Sequence, residues 1–476
     1  MVQFFEAHTS LQFVDGNSIP DMEGHIPEAA TGGHQITVAP YSGHQVKDLL
    51  PMLRTTMRET SFWGMPIQAG SDLAAFLSAT RSWRSFRHVV YRTTRHLHHL
   101  ARYGRAMDLV NGVALVARLA RSATDLGVQW RLSCPAVRLL QEENGAVCGA
   151  VLDTPQGEIA VHAKAVVLAT GGFGHDAERR RQLFPRDPSG LENLALPVPG
   201  CTGNGLRLGE SAGGHVRTDL YSPVAWAPVS EVPYADGTTG RFPHIIDRGK
   251  PGLIGVLANG QRFVNESHSY YQYVTAMIRQ VPQGQEVCSW LICDHAFLRR
   301  YGLGHVRPAP VPMGSHLRSG YLKRGRNLEE LARACGIDAA GLVASVAAFN
   351  RDAVNGKDPL FGRGSTPYNR KQGDSSVGRA GNPCVAPLEH APFYAIKVKP
   401  GCFATFAGLD TDGQARVRNA QRQPIAGLYA VGTDMSSVFG GFYPSGGANI
   451  GPALTFGYVA GVHLAETLQP HDSGRL

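Results

Sequence analysis

Tyr443 stands four residues before Gly447 in the stretch GGFYPSGGANIGPALTFGYVAG, residues 440–461, where a phenol hydroxyl meets a glycine-dense turn that runs into a helix. Gly446, Gly447 and Gly451 carry no side chain to keep a flat ring system from the backbone. Pro452 suits a first helical turn, where its missing N–H has no intrahelical partner anyway. Backbone amides at such a helix start face an electron-rich acceptor. No lysine follows the glycines and their spacing is not that of a dinucleotide turn, so the segment is no phosphate loop. The chemistry it suits is holding a planar cofactor beside a hydrogen-bond donor. A second candidate lies in AKAVVLATGGFGHD, where the apolar run 165–168 reads as a buried strand. Gly171 and Gly172 follow it at the carboxyl end, where α/β proteins bind cofactors.

The elements that must position these residues are legible around them. NGVALVARLARSATDLGV reads as an amphipathic helix, VQWRLS as a strand, and AVRLLQEENGAVCGAVLD as two strands joined at Asn144-Gly145, a strong hairpin signal. GEIAVHA adds a strand before the 165–168 run. From about residue 219 prolines and aromatics become dense, with helical segments such as NLEELARACGI and AAGLVASVAAFNRDAV between them. Short strands return near Pro400 and lead through PIAGLYAVGTD to the opening motif. This pattern predicts an α/β chain with an α+β insertion. Residues 1–218 and 396–476 form one cofactor-binding domain, and 219–395 an inserted catalytic or substrate domain.

With 43% hydrophobic and 18% charged residues in 476, the chain is globular rather than disordered, and 56 glycines and 30 prolines imply many turns. The net charge of +8 favours anionic surfaces in general without specifying a partner, and no nucleic-acid partner is expected. Eight cysteines (Cys134, Cys148, Cys201, Cys288, Cys293, Cys335, Cys384, Cys402) show no CxxC and no metal spacing, which reads as reduced thiols in a cytoplasmic protein without a metal site. No apolar run approaches the ~18 residues of a membrane span. Residues 81–105, RSWRSFRHVVYRTTRHLHHLARYGR, interleave seven arginines with apolar side chains. Two readings stand: a solvated helical face over a core stripe, or a basic amphipathic helix resting on anionic lipid. His96, His98 and His99 lack the i, i+4 pairing with an acid that a helical zinc site requires.

Taken in order, the segments ALVARL, AVVLATGGF, TGNGLRLGESAGG, GQRFVNESHSYY, PIAGLYAVGTD and YPSGGANIGPALTFGYVAG resemble the fumarate reductase and succinate dehydrogenase flavoprotein superfamily. Within it they most resemble the 3-ketosteroid Δ1-dehydrogenases. The resemblance implies FAD as cofactor, a Rossmann-like FAD domain with a catalytic domain inserted into it, and a separate electron acceptor. It implies a tyrosine and a glycine amide that bind the substrate ketone, here Tyr443 and Gly447, and a tyrosine base in the NExxxY segment, here Tyr270. A free phenol titrates near pH ~10, so that base needs its anion favoured by its surroundings. The FAD contacts it implies are Val137; Ala169, Thr170, Gly171 and Gly172; Thr202, Gly203, Asn204 and Gly205; Gly432 and Asp434; and Gly451, Pro452, Ala453 and Leu454. Asn204 stands where the superfamily's TGDG turn has its acid.

The expected reaction is dehydrogenation of a carbon–carbon bond next to the ketone of a 3-ketosteroid or similar bulky apolar substrate. Fumarate reductase chemistry fits less well. Tyr270 replaces the proton-relaying arginine, Ala404 stands in place of a histidine before Thr405, and Pro444-Ser445 replace the arginine that clamps a dianion. Two departures qualify the steroid reading. The tyrosines that precede a PEA tripeptide in many ketosteroid dehydrogenases are Gly24-His25-Ile26 here, where His25 is the candidate to support the base. The Tyr443-Pro-Ser445 spacing also resembles the Δ4-(5α)-dehydrogenases, which leaves the position of desaturation open. A GxGxxG unit at the start is missing, so the chain is expected to lack roughly the first hundred residues of a family member. The alternative is a non-catalytic remnant or one half of a split flavoprotein.

Overall fold

The computed structural model describes residues 1–16 and 18–468. It divides into two compact units, one built from Gln129–Trp226 and the chain from Gly401 onward, the other from Val2–Val128 and Ala227–Pro400. The breaks at 226 and 400 lie near the expected 218 and 396, but residues 2–128 group with the middle of the chain rather than with 129–218. Side-chain bonds hold them there. Arg307 Nη2 donates to the carbonyls of Glu59 and Ser61, Tyr234 donates its hydroxyl to Glu59, and Gln272 Nε2 donates to Glu23.

In the first unit, Ala136–Gln141, Val147–Thr154 and Gly157–His162 form an antiparallel meander. Its first turn is at Asn144-Gly145, where Gly145 takes a φ of +84° and Asn144 Oδ1 accepts from the Ala146 amide at 2.8 Å. Val166–Leu168 runs parallel to Pro424–Ala430, which pairs in turn with Arg416–Arg418. Leu168, Leu208, Leu409, Val417 and Leu428 pack together as this unit's core. The run 165–168, expected to be buried, buries only Leu168, and Val167 is 41% exposed because the strand is the outer one of three. The expected strand at 128–133 does not form: Val128, Trp130 and Leu132 are all exposed, and an alternating pattern makes a strand only where one face is buried.

The helix Ile450–Leu468 is apolar on every side, yet Ala460 is its one buried residue among those described. Such a helix normally lies inside a protein or under a ligand.

The second unit centres on a sheet ordered Thr239–Pro243, Val224–Pro233, Phe393–Thr405, Ser289–Cys293, Leu253–Val256. The helices Leu328–Cys335 and Ala339–Ala353 lie over it, packing Leu331, Leu342, Val346 and Phe349 on Ile254, Val256 and Ile292. The arginine-rich segment is a helix, Trp83–Tyr103, capped by the Ser82 side chain on the Ser85 amide. Three of its polar residues reach inward: His88 Nε2 and Arg92 Nη1 lie 2.6 and 2.7 Å from Asp72, and His96 reaches the Trp63 carbonyl at 3.0 Å. Trp83 is 72% exposed, and Phe86, Val90, Tyr91 and Leu97 are exposed with it. Arg84, Arg87, Arg95 and Arg102 are exposed while Val89 and Leu100 are half-buried, so a solvated basic face is present but apolar side chains lie on both sides of the helix.

A buried ion cluster fixes the loop ahead of Tyr270. Arg262 binds Glu266 at 2.7 Å and Asp358 at 2.8 Å, Arg363 binds Glu266 at 3.2 Å, and all four side chains are at most 3% exposed. Glu266 also accepts from the Gly255 amide. Burial pushes the Glu266 carboxyl up, but Arg262 and Arg363 outweigh it and hold it below its usual range. A depressed carboxyl adds stability above its unfolded value and loses it as pH falls through the folded one. Glu266→Gln is expected to lower stability at pH 7 by about 3–5 kcal/mol. Urea melts of both proteins should show the difference shrinking as pH drops below the ordinary glutamate value of 4.5.

Candidate functional site

In the first unit the strand Val166–Leu168 ends in a turn closed by one carboxylate. The Asp434 oxygens accept from the Thr170 amide, from the Thr170 hydroxyl at 3.1 Å and from the Gly172 amide at 2.9 Å. Burial pushes the Asp434 carboxyl up, against these donors. The Gly205 amide donates to Thr170 Oγ1 at 3.1 Å, and a Cβ on Gly205 would lie 2.5 Å from Asp434 Oδ2, so only glycine fits this approach. Gly172, at φ +73°, is equally constrained, since a Cβ there would collide with Thr405 Oγ1. Thr170, Gly172, Gly205 and Asp434 are thus brought together, with Gly171 between Thr170 and Gly172.

The neighbouring residues follow. Gly203 is the left-handed N-cap of the helix Asn204–Ser211, and Asn204 Nδ2 donates to the Ala136 carbonyl beside Val137 at 2.8 Å. The side chain that stands where the superfamily has an acid therefore fastens this helix to the meander. Val137, Ala169, Thr170 and Thr202 are exposed.

The Tyr443 turn is set by Gly441, where a Cβ would lie 2.5 Å from the Ser222 carbonyl, and by Phe442 stacked on Tyr221 with ring centroids 4.3 Å apart. Tyr443 is buried, its ring 6.0 Å from that of Phe406. Gly447 has a φ of +87°, accepts from the Gly451 amide at 2.7 Å, and has open space where a Cβ would stand, as does Gly451. A cleft between this turn and the helix start is lined by Thr405, Gly432, Ser436, Asn449 and Pro452. Within it the buried Ser436 hydroxyl has no partner among the described residues. The cleft holds only about 20 Å³, room for about one water rather than a ring. What suits a planar, polar-edged group at this end is the uncovered backbone of Gly447 and Gly451 and the unmatched Ser436 hydroxyl.

Tyr270 belongs to the second unit. It opens the helix Tyr270–Gln280 behind a capping box, in which Ser269 Oγ accepts from the Gln272 amide and Gln272 Oε1 accepts from the Ser269 amide. Tyr270 is buried, next to a loop pinned by Glu266. His268 is pushed down to about 4 by burial, with His25 and Arg248 adding to the shift, so it is neutral at pH 7. The residue joined to this helix is Glu23 rather than His25. Glu23 accepts from Gln272 Nε2 at 2.6 Å, whereas the His25 ring is mostly exposed and 3.7 Å from Glu23. Burial raises the Glu23 carboxyl. No spacing in the sequence signals a pair 249 positions apart.

A family model described as FAD binding domain matches residues 1–450. A 4-oxocyclohex-2-ene-1-carboxylate 5-dehydrogenase of Sinomonas cyclohexanicum is 38% identical over all of this chain and 80% of its own length. A 3-oxosteroid 1-dehydrogenase of Mycolicibacterium smegmatis is 34% identical over 76% of this chain and 64% of its own. Among solved structures, the 3-ketosteroid Δ1-dehydrogenase from Sterolibacterium denitrificans, in complex with 1,4-androstadiene-3,17-dione, superposes with a TM-score of 0.88. It is 30% identical, and the match covers 98% of this chain and 83% of that one.

Asp434→Ala removes the acceptor for three donors, and the Thr170–Gly172 turn loses its shape. The expected outcome is a flavin-to-protein absorbance ratio at least tenfold below wild type in protein purified with FAD present, and an unchanged ratio would refute the role of this carboxylate.

Proposed function

The chain belongs to the FAD binding domain family and is an FAD-dependent oxidoreductase acting on CH–CH groups; on that premise we propose that it desaturates the carbon–carbon bond beside the ketone of a ring compound. The observation that carries this reading is the buried Tyr443 four residues ahead of the open, positive-φ Gly447, with proline and serine where a dianion clamp would need arginine. The Tyr443 hydroxyl and the Gly447 amide donate to the ketone oxygen and stabilise the enolate that forms when the neighbouring carbon loses its proton. One such donor is worth about 3 kcal/mol in an oxyanion hole. Tyr270 takes that proton. Its place at a capped helix start favours an anion there. FAD, when bound, supplies the hydride acceptor. Thr170, Gly172, Gly205 and Asp434 shape the turn that holds the cofactor, and Gly432, Gly451, Pro452, Ala453 and Leu454 present backbone and apolar surface to its ring. Turnover would then require a separate electron acceptor.

The relatives' names divide the substrate class between steroid rings and small alicyclic keto acids. Both present a ring ketone flanked by CH–CH. The sequence favours a bulky apolar ketone, such as a 3-ketosteroid.

Contact with a membrane surface belongs to the same proposal. Residues 81–105 contain seven arginines and no acid, and the helix Trp83–Tyr103 turns Trp83, Phe86, Val90 and Leu97 outward. No helix among the described residues is long and apolar enough to cross a membrane, so such contact would be peripheral.

Two outcomes are expected. With a 3-ketosteroid or 4-oxocyclohexanecarboxylate and an artificial dye as acceptor, Tyr443→Phe lowers kcat about 100- to 1,000-fold while retaining flavin; wild-type turnover in that variant would sink the mechanism. In flotation assays the protein follows vesicles containing phosphatidylserine but not pure phosphatidylcholine, and Arg84→Glu with Arg87→Glu abolishes the difference.

A further inference from the structure

Arg248 sits in the short turn Asp247–Gly249 of the second unit and is 1% exposed. Its hydrogen bonds all go to backbone. Nε donates to the His244 carbonyl at 2.9 Å, Nη1 to those of Glu266 at 2.9 Å and His268 at 3.3 Å, and Nη2 to that of Ile245 at 3.5 Å. The guanidinium carbon also lies 4.8 Å from the centre of the Tyr273 ring. Two nearby carboxylates are bonded elsewhere: Asp247 to His244 Nδ1 at 2.6 Å and to the Gly304 amide at 3.1 Å, Glu266 to Arg262 and Arg363. Among the described residues Arg248 therefore has no ion-pair partner. Burial pushes it down, opposed by Tyr368, Tyr273, Asp247 and Glu266, yet a guanidinium in a protein stays protonated. Carbonyl oxygens satisfy its N–H groups without cancelling its charge, so its field extends into the surrounding chain.

The chain it touches is the one that presents Tyr270. Glu266 and His268, whose carbonyls it holds, lie four and two positions ahead of that tyrosine, and Tyr273 lies three positions after it in the helix Tyr270–Gln280. At both ends of this stretch the charge of Arg248 outweighs the carboxylates. His268 is pushed down chiefly by burial, then by His25 and Arg248, against a smaller pull from Glu266. Tyr273 is pushed up by burial, and Ser289 and Arg248 draw it back more than Glu266 and Asp247 add to the rise. Glu23, which accepts from Gln272 in the first helical turn, stands with Asp247 and Glu266 against an anion here.

We propose that Arg248 is a positioning residue for Tyr270: it fixes the carbonyls of the loop that leads into the helix start, and its uncancelled charge favours the Tyr270 phenolate over the phenol. The inference rests on the desaturase reading, in which Tyr270 takes the proton, and adds what such a base requires. A free phenol loses its proton near pH ~10, and a cation held at low dielectric moves that equilibrium toward the anion. The rival role, a tie between two loops and nothing more, needs the fork of N–H groups but not the charge. Arg248→Lys separates the two, since lysine keeps the charge and loses the fork.

The test follows Tyr270 itself. In flavin-loaded protein isotopically labelled at tyrosine Cζ, the Tyr270 NMR signal is assigned by its loss in Tyr270→Phe and followed from about pH 6 to about pH 11. Wild type is expected to ionise below the free-phenol value, Arg248→Gln about one pH unit or more higher, a tenfold change in the equilibrium, and Arg248→Lys close to wild type. Wild-type ionisation at or above the free-phenol value overturns the proposal, and that measurement needs no variant to fold. So does a folded Arg248→Gln that titrates with wild type, or an Arg248→Lys displaced as far as Arg248→Gln, since either leaves only the tie. The pH profile of kcat/KM separates this inference from the reading beneath it. A limb at the Tyr270 midpoint that Arg248→Gln leaves in place refutes the role of Arg248 alone. A Tyr270 signal that moves with Arg248 while the limb does not follow refutes Tyr270 as the base and leaves the electrostatic pairing standing.

Discussion

One buried carboxylate holds the cofactor-binding unit in register. Asp434 follows the strand Pro424–Ala430, and the donors it satisfies, Thr170 and Gly172, follow the parallel strand Val166–Leu168. Two chain segments some 264 residues apart in sequence are thereby clamped at the carboxyl ends of adjacent strands. Removing side chains elsewhere in the turn is what allows this: Gly172 admits Thr405, and Gly205 admits the carboxylate itself. A charged group so enclosed is tolerable only because every donor reaching it comes from backbone or a short hydroxyl of fixed geometry. The helix Asn204–Ser211 takes its position from that clamp, through the Gly205 amide on Thr170 Oγ1.

The second unit solves a different problem with similar means. Tyr270, the proposed base, opens a helix, and helix starts fray unless capped. Here the Ser269–Gln272 box closes the first turn from within. Glu266 and Arg248 hold the preceding loop from both sides, Glu266 through two arginines and Arg248 through two carbonyls. Rigid placement of a general base matters more than its environment alone, since misplacement by an ångström weakens proton transfer steeply. Charges buried this deeply add little net stability, so their use here is better understood as fixing geometry.

How much of this was legible in the sequence depends on the range of each interaction. The Asn144-Gly145 hairpin and the two helices over the second sheet are set by local conformational preference and periodicity, and the chain spells them out. The alternation in VQWRLS promised a strand, but a strand of this pattern also needs a buried face, and residues 129–133 are all exposed. The helix Trp83–Tyr103 has a clear two-sided pattern, and yet Asp72 draws His88 and Arg92 inward while Arg84, Arg87 and Arg102 stay exposed, a split that periodicity alone does not give. Glu23 beside Gln272 left no local trace.

The apolar helix Ile450–Leu468 has a bearing on the protein's life before any substrate arrives. With one buried residue and with Ile450 and Val462 exposed, it leaves a long oily surface in water. Such surface invites association between partly folded chains. A cofactor that covers its first turns adds folding free energy by mass action, about 2.7 kcal/mol at a hundredfold excess over its dissociation constant. Any ligand that only the folded chain binds raises its stability with concentration in this way.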